Sequence, residues 1–196
     1  NNKLRKSFSE VLFQGLSKEG GLFLPTAWPK INIDILRKKS YEEVAVEIIY
    51  PYLSKEMTKD TLFDIIYSTY EIFSNKKVAP LVTFEKNKHL LELFYGPTLA
   101  FKDYALQFLG NLFSYYLKNK NKRITILGAT SGDTGSAAID AFKGKDDINV
   151  FILHPFNKVS EVQRRQMTTI LEENIFNIAV EGTFDDCQRI VKELFV

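Results

Sequence analysis

The sequence predicts an α/β fold: a mostly parallel sheet with flanking helices, preceded by a small, mainly helical N-terminal region. Three observations carry that expectation. From about position 80, short apolar runs alternate with amphipathic stretches in a repeated order of strand, loop and helix. Before position 80, the periodic segments have helical spacing. No internal repeat and no low-complexity linker interrupts either region. Two regions are therefore expected, 1–79 mainly helical and 80–196 α/β.

The elements follow in order. GLSKEGGLFLP (15–25) reads as a glycine-rich turn and an extended segment that stops at Pro25. Ser40 and Glu43 form a capping box ahead of YEEVAVEIIYPYL, where Val44, Ile48 and Ile49 share a face and Pro51 ends or bends the helix. A second helix starts after Thr58 and runs through TLFDIIYSTYEIF. LLELFY (90–95) is the first strand of the alternating region, with Gly96-Pro97 behind it. A helix over roughly 101–117 places Ala105, Phe108, Leu109, Leu112 and Tyr116 on one side. RITILG (123–128) is a buried strand, followed by ATSGDTGS and an alanine-rich helix through Phe142. INVFIL (148–153) is a strand stopped by His154-Pro155, and Ser160 with Gln163 caps a helix through Met167. IFNIAV (175–180) is a strand, and Thr183 with Asp186 starts a helix still running at Val196. Such strand–helix alternation gives right-handed crossovers, and ligands bind at the carboxyl ends of the strands.

Composition narrows the function. Lys plus Arg total 26 against 24 for Asp plus Glu, a net charge of +2 with the basic residues dispersed. That leaves no electrostatic footprint for nucleic acid. No apolar run approaches the ~18–20 residues of a membrane span, and no secretory h-region opens the chain. The single Cys187 fits a reducing, cytoplasmic setting and reads as a small packed residue rather than a nucleophile. His89 and His154 are lone histidines without partners at metal-ligand spacing.

Three loops remain as sites of chemistry. GATSGDTG (128–135) joins a strand to a helix N-terminus, and its glycines, hydroxyls and free N–H groups suit an anion. It is neither a Walker loop nor GxGxxG, so the anion is not expected to be a nucleotide pyrophosphate. A tight βα turn with Ser/Thr caps is the plainer reading. YGPTLAFKDYALQF (95–108) places Lys102 at a helix start, where the macrodipole disfavours a cation. Among Leu99, Ala100 and Phe101 it would be desolvated and so a better amine nucleophile; a lysine lying along an amphipathic helix is the alternative. FNKVSEVQRRQMTT (156–169) carries Lys158, Arg164 and Arg165, which could hold an anion but read more simply as a solvated basic face.

Five segments in order give the chain a resemblance. FSEVLFQGLSKEGGLFLP, FYGPTLAFKDYALQFLG, TILGATSGDTGSAA, VSEVQRRQMTT and VEGTFDDCQ together resemble the threonine synthase family, in its bacterial and fungal branch, among the pyridoxal-phosphate (PLP) enzymes of fold type II. The resemblance spans nearly the whole chain. It implies PLP as cofactor and O-phospho-L-homoserine as substrate, with Lys102 as the lysine that binds PLP covalently and moves protons at the substrate's α and β carbons. It implies Thr130, Ser131 and Thr134 as receivers of a substrate anion and Asp133 as a cofactor neighbour, at a position where related enzymes often carry Asn. The family's chains are longer, and no candidate for the loop that grips the PLP phosphate, or for the hydroxyl facing the pyridine nitrogen, stands in these residues. The chain is thus expected to be an incomplete portion, with 80–196 the first part of the PLP-binding region, inactive by itself. A non-catalytic module of the same type, binding a phosphorylated metabolite, is the alternative; Lys102 favours the enzyme.

Overall fold

The computed structural model describes residues 5–18, 20–118 and 122–195 and divides into two compact units, Asn1–Ser68 and Thr69–Val196. In the first unit, helix α1 (Phe8–Gln14) starts from a capping box that the sequence reading passed over: the Ser7 hydroxyl accepts the Glu10 N–H while the Glu10 carboxylate takes the Ser7 N–H. A single turn, α2 (Ile33–Leu36), follows. Helix α3 (Tyr41–Leu53) begins at the Ser40–Glu43 box, as expected. Pro51 does not end it; the helix continues to Leu53. The proline lies in the last turn, where it deprives only one carbonyl of its donor. Helix α4 (Lys59–Tyr70) starts after Thr58, whose hydroxyl accepts the Thr61 N–H, and stops three residues short of the expected end. Val46, Leu53, Met57, Leu62 and Ile66 are the buried apolar residues of this unit among those described.

The second unit opens with a hairpin of β1 (Leu81–Glu85) and β2 (Lys88–Leu91), paired antiparallel around a turn in which Asn87 has φ 66°. This corrects the expectation for LLELFY. Its strand ends at Leu91 and belongs to a separate two-stranded sheet, because LVTFE lies one short turn away and pairs locally first. The parallel sheet has three strands in the order β3 (Ile124–Ala129), β4 (Ile148–Pro155), β5 (Ile175–Val180). Helix α5 (Asp103–Lys118) precedes β3, α6 (Asp133–Phe142) and α7 (Glu161–Thr168) make the two crossovers, and α8 (Phe184–Glu193) follows β5.

Three details depart from expectation. Strand β4 runs through Pro155, which still pairs with Val180, so the stop comes after the His-Pro pair. Helix α5 buries Asp103, Gln107, Gly110, Leu112, Phe113, Tyr116 and Leu117, while Ala105 is exposed. The buried face turns because Gly110 meets the backbone of α6: a Cβ there would lie 2.5 Å from the Ala141 carbonyl oxygen. Helix α8 ends at Glu193, where Leu194 N–H bonds the Ile190 carbonyl; Val196 lies outside the described residues. The core of this unit gathers Leu112, Leu117, Ile139, Phe142, Ile148, Val150, Met167 and Cys187, all buried. No helix among the described residues is long and apolar enough to cross a membrane.

Candidate active site

Helices α5, α6 and α7 begin at the same end of the parallel sheet, where β3 and β4 finish. The segment leading into α5 is a tight turn. Leu99 N–H bonds the Gly96 carbonyl, Asp103 N–H bonds Ala100, and Leu99 takes φ 63°, a left-handed conformation that costs a side-chain-bearing residue on the order of 1 kcal/mol. Asp103, fully buried, holds this turn together. Its carboxylate accepts the Thr98 N–H (2.8 Å) and the Thr98 hydroxyl (2.6 Å). Burial raises the Asp103 carboxyl above its ordinary range, against the lowering effect of the two Thr98 bonds. From α7, the Gln166 amide donates to the Thr98 carbonyl (3.0 Å). Tyr104 braces the next turn, donating its hydroxyl to the Val78 carbonyl and stacking edge-on with Phe73.

Lys102 stands at the head of α5, its carbonyl accepting the Leu106 N–H. Its ammonium lies 4.4 Å from the centre of the Phe101 ring and 3.8 Å from an Asp133 carboxylate oxygen. The side chain keeps 27% of its surface exposed, so it is less desolvated than its apolar neighbours suggested. Leu99 and Phe101 point largely to solvent.

The glycine loop after β3 separates its residues into two roles. Thr130 is buried, and its hydroxyl oxygen accepts the N–H groups of Gly132 (3.0 Å) and Gly135 (2.9 Å), which ties the loop from the inside. Ser131, Asp133 and Thr134 are exposed. Among the described residues their N–H groups make no hydrogen bond, and no side chain caps α6, whose N-cap is Gly132 with φ 150°. Free N–H groups at a helix start, under hydroxyls, form a cradle for an anion. The structure thus brings Lys102 beside Asp133 and aligns Ser131 and Thr134 with the open helix end; it turns the Thr130 hydroxyl inward.

The start of α7 completes the group. The Ser160 hydroxyl donates to Gln163 Oε1 (2.7 Å), and Gln163 Nε2 donates to the Asp133 carboxylate. Arg164 and Arg165 both pair with Glu161, whose carboxyl they pull down to about 2. The sequence pattern gives Asp103 and Gln166 no role in the site and Gln163 only that of a cap. Asp103 is visible there only as an acid beside the lysine. His154, at the end of β4, is buried, and burial lowers its imidazole below the ordinary value. No cluster of metal-ligating side chains occurs among the described residues.

The family model described as "Threonine synthase N terminus" matches residues 1–70. Threonine synthase of Pseudomonas aeruginosa is 47% identical over 192 residues, covering 96% of this chain and 41% of that protein. The PLP-bound threonine synthase of Brucella melitensis superposes with a TM-score of 0.90 at 45% identity, over 96% of this chain and 41% of that one. The yeast threonine synthase structure superposes with a TM-score of 0.92 at 44% identity, over 99% of this chain and 42% of that one. The chain thus spans about two-fifths of the length of the relatives it matches. In sequence and in fold, it is similar to about that share of the threonine synthases, and its residues 1–70 match the model of their N terminus.

Proposed function

We propose that this chain is the N-terminal part of a PLP-dependent threonine synthase that converts O-phospho-L-homoserine and water to L-threonine and phosphate in the last step of threonine biosynthesis. The observation that carries the proposal is the placement of the Lys102 amine, 3.8 Å from Asp133 on the glycine loop and beside the open N-terminus of α6. The residues present fit one end of PLP: an accessible amine for its aldehyde, with a carboxylate beside it. When bound, PLP supplies an electron sink for carbanions at the substrate carbon skeleton.

The chain's own groups have separable tasks. Lys102, once free of the cofactor, holds and moves protons at the α and β carbons of the substrate. Ser131 and Thr134, with the free N–H groups of the α6 start, hold a substrate anion, and Thr130 keeps that loop in shape. Asp133 fixes the Lys102 nitrogen. Phosphate leaves from the γ carbon and water adds at the β carbon. The division into 1–79 and a PLP-binding 80–196 belongs to the same proposal, as does a cytoplasmic setting, supported by a lone, buried, unpaired Cys187. So does the expectation that these residues do not turn over alone, supported by their covering about two-fifths of the relatives.

The test is chemical. Borohydride reduction of the full-length protein with PLP bound should leave a cofactor-sized mass on the peptide holding Lys102. Lys102→Ala should lose that adduct and lower turnover by at least about 10²-fold to 10⁴-fold. An adduct on a different lysine would end the assignment.

A further inference from the structure

We propose that Gln163 is a positioning residue for Lys102: from α7, its side-chain amide holds the Asp133 carboxylate in place, and Asp133 in turn holds the Lys102 ammonium. Three observations converge on that amide. Its oxygen accepts the Ser160 hydroxyl at 2.7 Å, which fixes the amide's orientation and leaves Nε2 free to donate. Nε2 donates to one Asp133 oxygen, and the other Asp133 oxygen lies 3.8 Å from Lys102 Nζ. The amide also packs flat on Gly132, where any Cβ would collide with it, so the loop backbone is shaped to admit this side chain.

Apart from Lys102 itself, Gln163 is the one side-chain partner of Asp133 among the described residues. The Asp133 side chain is 49% exposed at the first position of α6, and without Gln163 it would turn toward solvent. The other carboxylates of the three helices are committed elsewhere. Asp103 is bound by Thr98, Asp140 by Gln107 and Lys143, and Glu161 by Arg164 and Arg165. The carboxylate that neutralises Lys102 is therefore supplied by α6 but aimed by α7, about 60 residues along the chain from the lysine it serves. The meaning of this for catalysis rests on the function proposed above; the linkage itself does not.

The experiment uses the full-length protein without cofactor. Lys102 is acetylated with limiting acetic anhydride at neutral pH, and its rate is read by mass spectrometry against the exposed Lys76. An ammonium held against a carboxylate is held back from the reagent, and losing that partner frees the nitrogen to meet it, so the labelling rate should rise about twofold to fivefold. Asp133→Asn should give that rise. Gln163→Met, of similar shape but with no donor, should give most of it, and Gln163→Asn, with a retracted amide, should do the same. In the Asp133→Asn background Gln163→Met should add nothing. Thermal melts of each variant identify any that fail to fold, in which case the other Gln163 variant decides. The proposal is overturned if Asp133→Asn raises the rate while both Gln163 variants leave it unchanged. It is equally overturned if Asp133→Asn has no effect, or if Gln163→Met acts as strongly without Asp133. Failure of the proposed function would show separately, as a missing borohydride adduct in the wild type with the cofactor-free labelling pattern intact.

Discussion

Asp103→Ala removes the carboxylate that accepts both the N–H and the hydroxyl of Thr98, at 2.8 Å and 2.6 Å. Hydrogen bonds to a charged group contribute about 1.5–3 kcal/mol each, so two would give roughly 3–6 kcal/mol. Burial opposes them, as the raised Asp103 carboxyl shows. The net loss is expected to be about 2 kcal/mol. In a full-length protein of which this chain is about two-fifths, the Tm moves by about 1 °C per kcal/mol, so it falls by about 2 °C, and the urea midpoint carries the measurement. Thr98→Val removes one donor and should cost about 1 kcal/mol in the wild type but almost nothing beside Asp103→Ala, since the partner is already gone. The pH dependence has a definite sign. Below the ordinary value of 3.8 the group is protonated in both states. Above it, the unfolded chain releases the proton while the folded chain keeps it, so the Asp103 contribution declines with rising pH until its raised folded value is passed. The assay is urea and thermal unfolding of the four proteins of the cycle in full-length form, from acid to neutral pH. Additive losses, or a wild-type advantage over Asp103→Ala that grows through that window, would refute the picture of a buried clamp.

Other substitutions separate the roles within the glycine loop. Thr130→Val leaves two buried N–H groups without their acceptor and should lower stability by about 2 kcal/mol, read by urea unfolding. Thr134→Val should instead leave stability within about 0.5 kcal/mol and raise the KM for O-phospho-L-homoserine, with the cofactor absorbance unchanged; an unchanged KM and kcat would remove Thr134 from the anion site. The 196 residues purified alone, given PLP and substrate, should release no phosphate at an enzymatic rate, and steady release from a monomeric sample would refute this.

Much of this fold was legible because its signals are local. The Ser40–Glu43 and Thr183–Asp186 boxes and the apolar runs ITILG and IFNIAV mark elements that form from neighbouring residues. What the sequence hid depends on distant partners. The buried face of α5 is set by the approach of α6 at Gly110, which no periodicity within α5 encodes. LLELFY looked like a sheet strand because its apolar run is the same whether its partner is parallel or in a hairpin. In the site, Lys102 and the 130–134 loop stood out by composition, whereas Gln163 acquires its role only when α7 folds back against α6. Thr130 and Thr134 are chemically alike in sequence, and only the direction of the chain after β3 sends one hydroxyl inward.

The contact at Gly110 has a mechanical consequence. Gly110 lies eight residues beyond Lys102 along α5, and Ala141 lies eight beyond Asp133 along α6. At 1.5 Å per residue, each arm from that contact to the site is about 12 Å long. The two helices thus present arms of matched length from that contact to the Lys102–Asp133 pair. A relative tilt of about 5° at the contact moves the tips by about 1 Å, enough to separate an ion pair that begins at 3.8 Å. A methyl group added at Gly110, forced against the Ala141 carbonyl, would therefore be felt as a change of gap at the tips.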